Sequence, residues 1–242
     1  MKKVLSLALL AVILGCTSTQ AITNQVEKGF ISVSTSANAE IAPDTAEISI
    51  AIQTFDNKSM QKATLQNKEI AEKVITELKT MIGEDDYIKT ANYNASPVYK
   101  YVNSKKLLYK YQVTNSVIVH TKSIDKVGAM IDKAILLGAT NVNSLSFSVS
   151  NYEYKCNDLL EQAAKKAYER ASIVAKTVPT SIDGIRSMDL SCSANNSFRP
   201  QYRMLKMNAT MDAAGAVEET STVIESGVIK IFANVNASYF VK

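Results

Sequence analysis

The 242-residue chain has one histidine, three cysteines, eight glycines and four prolines. Each shortage removes a class of chemistry. With Cys16 in the leader, two cysteines and one histidine cannot assemble a zinc site of three or four nitrogen and sulfur ligands. Glycine is too sparse for a Gly-rich phosphate loop, and His120 alone cannot complete a Ser-His-Asp set. No spacing brings two carboxylates together, so the sequence points to no catalytic residue and no cofactor. A Cys-His nucleophilic pair stays arithmetically open, yet Cys156 precedes a helical stretch while His120 ends a strand on its polar face. His120 is read as an exposed strand-end residue. A basic excess is missing too. The formal charge is +4, and taking out Lys2 and Lys3 leaves 25 basic residues against 23 acidic, a net of +2 with the lysines scattered. That excludes a nucleic-acid binder.

No apolar run is long enough to span a membrane as a helix. The longest, Val4 to Leu14, is about ten residues where a span needs about 20. Preceded by Lys2 and Lys3 and followed by small residues, it reads as an export signal over 1–16. Two cuts compete. Ile13-Leu14-Gly15-Cys16 resembles a bacterial lipobox, in which Cys16 becomes the lipidated first residue carrying acyl chains such as palmitate; Leu14 departs from the usual residue there. Thr19-Gln20-Ala21 fits an ordinary signal-peptidase cut. Either cut sends the chain out of the cytoplasm. Residues 17–28 are polar and aperiodic, a tether to one domain over 29–242.

What is abundant is alternation. With 46% hydrophobic and 21% charged residues the composition is globular. Ile31 to Ile41 alternates with serines, and Ala46, Ile48, Ile50 and Ile52 alternate with polar residues. Ala42-Pro43-Asp44 between these two strands reads as a tight turn, which predicts a hairpin. Asp56 to Ser59 should cap a helix ending near Gly83, with Ala63, Ile70, Ala71, Val74 and Leu78 on one stripe. Pro97 marks Tyr93 to Tyr101 as an edge strand, and Asn103-Ser104-Lys105 turns it into a strand over Tyr109 to His120. Ser123 is expected to cap a short helix that Gly138 ends, and Leu145, Phe147 and Val149 return to the sheet. A second long helix is expected from about Asn157, its proposed cap, to Val178, stopped by Pro179. Arg186 to Cys192 follows as a strand with Met188, Leu190 and Cys192 inward. Residues 193–222 read as a long loop, and Val228 to Val241 as a strand running through the whole sheet.

The resulting class is α+β, an antiparallel-rich sheet with a split βαβ (βαββαβ) core, an extra N-terminal strand, and a C-terminal helix plus two strands. Ile41-Ala42-Pro43-Asp44, Tyr111 to Val119 with its helix, the Gly138 to Val142 turn, the alanine-rich helix and Ile224-Glu225-Ser226-Gly227 together resemble the SIMPL-domain family of bacterial envelope proteins. The resemblance covers about Gly29 to Val241. It is to the periplasmic oxidative-stress-defence and immunogenic-protein type, which includes a large homo-oligomeric ring. It implies an exported, non-enzymatic, self-assembling envelope protein without established catalytic residues. A homo-oligomer, a membrane reached through Cys16, and neither nucleic acid nor a known small-molecule substrate are the partners expected.

Two readings stay open. Met204, Met207 and Met211 lie beside Arg199, Arg203 and Lys206; their thioethers suit Cu(I) or an oxidant, or else they pack against another subunit. Cys156 and Cys192 are the second. A helix carries the chain about 30 Å away from Cys156, at roughly 1.5 Å per residue, and a returning strand recovers that distance by Cys192. The pair is either bridged or two separate buried thiols.

Overall fold

The computed structural model describes residues 28–195 and 222–242, which form two antiparallel sheets, each covered on one face by helix. Strands β2 (Thr45–Asp56), β3 (Tyr87–Val102), β4 (Lys105–Thr121) and β5 (Asn141–Ser148) make a four-stranded sheet in the order β3-β4-β2-β5. With α1 (Met60–Met81) and α2 (Val127–Leu136) this is the split βαβ core, because β2 and β3 run parallel on either side of β4. The isoleucine alternation of β2 fills its centre. Ile48, Ile50 and Ile52 are fully buried with Val117 and Val119 of β4, under Val74 and Leu78 of α1 and Met130 of α2. Burial of each such side chain is worth about 1.5–3 kcal/mol.

The second sheet is three-stranded, β1 (Phe30–Ile41), β7 (Ile229–Val241) and β6 (Ile182–Asn195) in the order β1-β7-β6, and α3 (Tyr152–Thr177) lies across its inner face. The two strands flanking Pro43 therefore do not form the expected hairpin. β1 pairs with β7 along its full length, Phe30 opposite Phe240 through Ile41 opposite Ile229, while β2 pairs with β4 and β5. Ala42-Pro43-Asp44 carries the chain from one sheet to the other. Alternation shows that a segment is a strand and says nothing about its neighbour. The final strand is likewise central to the smaller sheet and has no place in the larger one.

Helix boundaries follow hydrogen bonds that the apolar stripes do not reveal. Ser59 caps α1 as expected, its hydroxyl accepting the Lys62 N–H at 3.3 Å, with Asp56 Oδ1 taking the N–H groups of Lys58 and Ser59. Ser123 makes no capping bond. A 3₁₀ turn, Ile124–Lys126, precedes α2, and the Thr121 hydroxyl accepts the Ser123 N–H. At its other end α2 closes in a Schellman motif: the N–H groups of Gly138 and Ala139 reach the carbonyls of Ile135 and Ala134, and Gly138 holds φ at 108°. Helix α3 starts at Tyr152, a full turn before Asn157, so Asn157 is an interior residue and Cys156 lies inside the helix.

Alanine sets the spacing of the smaller half. Ala163, Ala167 and Ala171 are fully buried, and the helix approaches closely enough for the Thr35 hydroxyl to donate to the Ala163 carbonyl at 2.7 Å. The same contact recurs in the larger half, where Thr54 donates to the Ala63 carbonyl at 2.7 Å. On β6, Met188 and Cys192 face the helix, but Leu190 is 54% exposed and does not join the core. As the edge strand of a small sheet, β6 is not fully covered by one helix. Outward, β1 and β7 carry Ser32, Ser34, Ser36, Asn234, Asn236 and Ser238.

Candidate functional site

Pairing between β2 and β4 ends at Asp56 opposite Tyr111, so the rest of the β3–β4 hairpin projects as a free two-stranded ribbon, Val98 to Lys110. Pro97 sits on the edge strand β3, as its missing N–H requires, and the β3–β4 ladder is bulged on both sides of it, in β3 between Ala91 and Asn94 and in β4 at Tyr109, between Lys110 and Leu108. Asn103 and Ser104 turn the ribbon with φ of 48° and 64°, the left-handed pair of a two-residue hairpin. Large apolar side chains crowd both of its faces. Tyr99, Tyr101, Val102, Leu107, Leu108 and Tyr109 are all exposed, Tyr101 at 72%. Lysines cover some of the rings: the Lys106 ammonium lies 4.2 Å from the Tyr99 ring centre, Lys100 5.1 Å from Tyr109 and Lys110 4.6 Å from Phe55. A ribbon of two strands is marginal in water alone, and a contiguous apolar patch of this kind marks a surface of interaction. The signal was present in the sequence. Leu107 and Leu108 are apolar at adjacent positions, which a strand with one wet face would not allow.

A second feature lies between α3 and β6. Cys156 and Cys192 meet there in disulfide contact, with Cα atoms 6.1 Å apart. Further along the same seam an open apolar groove of about 450 Å³ is lined by Tyr168, Ile182, Ile185, Met188 and Tyr239. Tyr168 meets Tyr239 edge-on, ring centres 5.9 Å apart at 74°. Burial, with a smaller contribution from Tyr168, pushes the Tyr239 phenol above its ordinary value.

His120 takes no part in either feature. Its ring stacks on Tyr87 at 4.8 Å and 14°. Beside it, desolvation pushes the Asp86 carboxyl upward but is outweighed by bonds from the Gly83 N–H, the Thr121 hydroxyl and the Lys122 N–H, so Asp86 titrates below its usual range. His120 and Cys156 thus sit in different halves with different partners. Among the described residues no group of three or more His, Cys, Asp or Glu gathers where a metal would be held, and no helix is long and apolar enough to cross a membrane. Cys16 and the Met204, Met207 and Met211 set lie outside the described residues.

Residues 31–239 match the SIMPL family, described as a protein of unknown function (DUF541). The chain belongs to the SIMPL family. Among relatives, the uncharacterized protein YggE of Escherichia coli (strain K12) is 24% identical over 220 residues, 88% of this chain and 87% of YggE. The 26 kDa periplasmic immunogenic protein of Brucella melitensis biotype 1 is 25% identical over 139 residues, 55% of each chain.

In this SIMPL chain the motif residues sit where the chain changes sheet or direction. Asp44 follows Pro43 at the first crossing, and its carboxylate accepts the N–H and hydroxyl of Ser150, both at 2.7 Å, at the second crossing from β5 to α3. The Asp44 N–H in turn donates to the Ser148 carbonyl at 3.0 Å. Gly138 ends α2 against Ile70 of α1, and Gly227, with φ of 64°, leads into β7.

Proposed function

We propose that this SIMPL protein is exported to the bacterial cell envelope, is held at a membrane by acyl chains on Cys16, and assembles there into a non-enzymatic homo-oligomer that supports oxidative-stress defence or envelope integrity. In this reading 1–16 is the leader, 17–28 the tether and 29–242 the working domain, and Cys156 and Cys192 are bridged because envelope compartments preserve disulfides. A relative named as periplasmic supports the location. The observation that carries assembly is the unsupported ribbon. Two strands with exposed Tyr99, Tyr101, Leu107 and Tyr109 on a free hairpin have apolar area to bury and no covering element among the described residues. Edge strands β1, β3, β5 and β6 present further unpaired backbone, which symmetric self-association hides.

Light scattering of the purified mature protein tests the reading. The expected result is a particle of many copies, reduced to a smaller species by Tyr101→Ser combined with Leu107→Ser. A monomer at micromolar concentration overturns it and transfers the argument to the methionines at 204, 207 and 211 as a soft-metal or oxidant site.

A further inference from the structure

The groove between α3 and β6 is built by two irregularities in an edge strand. Register places Ile182 opposite Val241, Ile185 opposite Tyr239 and Met188 opposite Ala237, with bulges at Asp183 and Arg186 between them. An unbroken strand would send Ile185 to the far side; the bulges turn a spacing of three residues into one apolar row along α3. Ile185 is 60% exposed and Tyr168 55%, so the row is concave apolar surface open to water. Tyr239 is the most deeply buried residue of the lining at 2% exposed, and its hydroxyl has no hydrogen-bond partner among the described residues. A buried phenol left without a partner carries a cost that an incoming acceptor removes. On the rim, Lys165 is taken by Glu161, while Glu169 has no ion pair among the described residues.

The ribbon is the complement of this groove in shape and charge. Tyr99, Tyr101, Lys106 and Leu108 share one of its faces, because Tyr99 pairs with Leu108 and Tyr101 with Lys106. Four lysines lie between Val98 and Lys110 inclusive, and no carboxylate occurs from Tyr87 to Thr121. The ribbon cannot fold back onto the groove of its own chain. Strand β2 puts 12 residues, about 40 Å at roughly 3.3 Å per residue, between the ribbon root at Asp56 and the crossing to the smaller half. From Tyr111 to its tip at Asn103 the ribbon reaches only about 26 Å by the same measure. We infer that the groove receives the ribbon of a second copy, with the Tyr101 ring between Tyr168 and Ile185, a ribbon oxygen accepting a hydrogen bond from the Tyr239 hydroxyl, and Lys106 facing Glu169. This contact rests on the assembly proposed above and gives the ribbon its mate. Ribbon and groove are different surfaces, so every copy gives one and takes one, and growth is head-to-tail rather than by two-fold pairs. The ion pair is exposed and sets orientation, while the apolar row carries the contact.

Light scattering of mixed variants tests it. Ile185→Lys with Glu169→Lys spoils the groove and leaves the ribbon intact; both positions are exposed, so the melting temperature should not change. Alone, this variant should give a species smaller than the wild-type particle, as should Tyr101→Ser with Leu107→Ser, which keeps the groove. An equimolar mixture of the two should give a heavier species than either, because the ribbon of one meets the groove of the other. A groove variant that keeps the wild-type mass overturns the contact and leaves assembly standing, and so does a mixture no heavier than its components. A monomeric wild type overturns both. Should Ile185→Lys perturb folding, charge serves alone: Glu169→Lys should weaken assembly about fivefold, and Lys106→Glu in the same chain should restore it. Failure of that rescue also overturns the contact.

Discussion

The carboxylate of Asp132 on α2 holds Thr222 by two hydrogen bonds, 2.7 Å from its N–H and 2.6 Å from its hydroxyl. One turn earlier on the same helix face, Gly128 lies directly beneath the Thr222 carbonyl, where a Cβ would overlap the oxygen. Ile224 then packs partly buried against the core of the larger half before Gly227 turns the chain into β7. Residues 222–228 are thus a strap from the four-stranded half to the centre of the three-stranded one.

Gly128→Ala distinguishes this strap from an incidental contact. Helix propensity alone favours alanine by about 1 kcal/mol. The overlap with Thr222 works the other way, and forcing extra atoms into a packed site costs about 1–3 kcal/mol, so the expected result is a lower urea midpoint. A stabilised variant would show that the strap does not sit on α2.

For the bridge, thiol titration of the unfolded, unreduced mature protein should find neither Cys156 nor Cys192 free. Replacing both by alanine opens a loop with a sequence separation of 36 and should cost about 3–4 kcal/mol of stability. Two titratable thiols in the mature chain refute it.

Asp183 at the start of β6 predicts an acid transition. Bonds from Lys242 at 2.8 Å and Lys28 at 2.9 Å hold its carboxyl at about 2, below the ordinary 3.8. The unfolded chain takes up the proton first on acidification, so the contribution of this group is present above about pH 4 and is lost between pH 4 and 2. Hydrogen-exchange protection at the ends of β1, β6 and β7, taken relative to the intrinsic rate at each pH, should fall through that window. The site is exposed, so salt should blunt the effect, and Asp183→Asn should abolish it. A loss of protection that Asp183→Asn leaves unchanged would assign the transition to other groups.

Anchoring is tested at Cys16. Cys16→Ser should release the protein from the membrane fraction and leave a chain cut near Ala21 or uncut. Unchanged fractionation rules out the lipid anchor.

Element types were legible where alternation or a stripe was unbroken, as in β2, β4, β7 and α1, because those residues face one core. Pairing was not. Ile41-Ala42-Pro43-Asp44-Thr45 looks the same whether it turns back or crosses to another sheet, and only the 12-residue match of β1 to β7 decides between them. Boundaries failed where polar residues open a helix: Tyr152 to Lys155 carries no apolar stripe, so the first turn of α3 could not be seen. Asn67 interrupts the apolar stripe of α1, yet it is only 1% exposed and donates to the Ile52 carbonyl at 2.9 Å. Of the candidate site, the tyrosines were visible but not their freedom, since the point where β2 stops supporting β4 is a property of the sheet. The apolar row of β6 was not visible, because Ile182, Ile185 and Met188 break alternation until two bulges align them.

The pairing of β1 with β7 also sets a timetable. Its partners Phe30 and Phe240 are separated by nearly the whole chain, while the four-stranded half is one continuous stretch, Thr45 to Ser148. As the polypeptide emerges from its N-terminus, the larger half has all its strands long before β7 appears, and β1 must wait with both edges bare. Its alternation of Ser32, Ser34 and Ser36 with smaller apolar residues keeps that waiting strand soluble. A chain stalled before residue 229 would therefore carry a largely formed half beside an unpaired strand, the species on which a chaperone or protease would act.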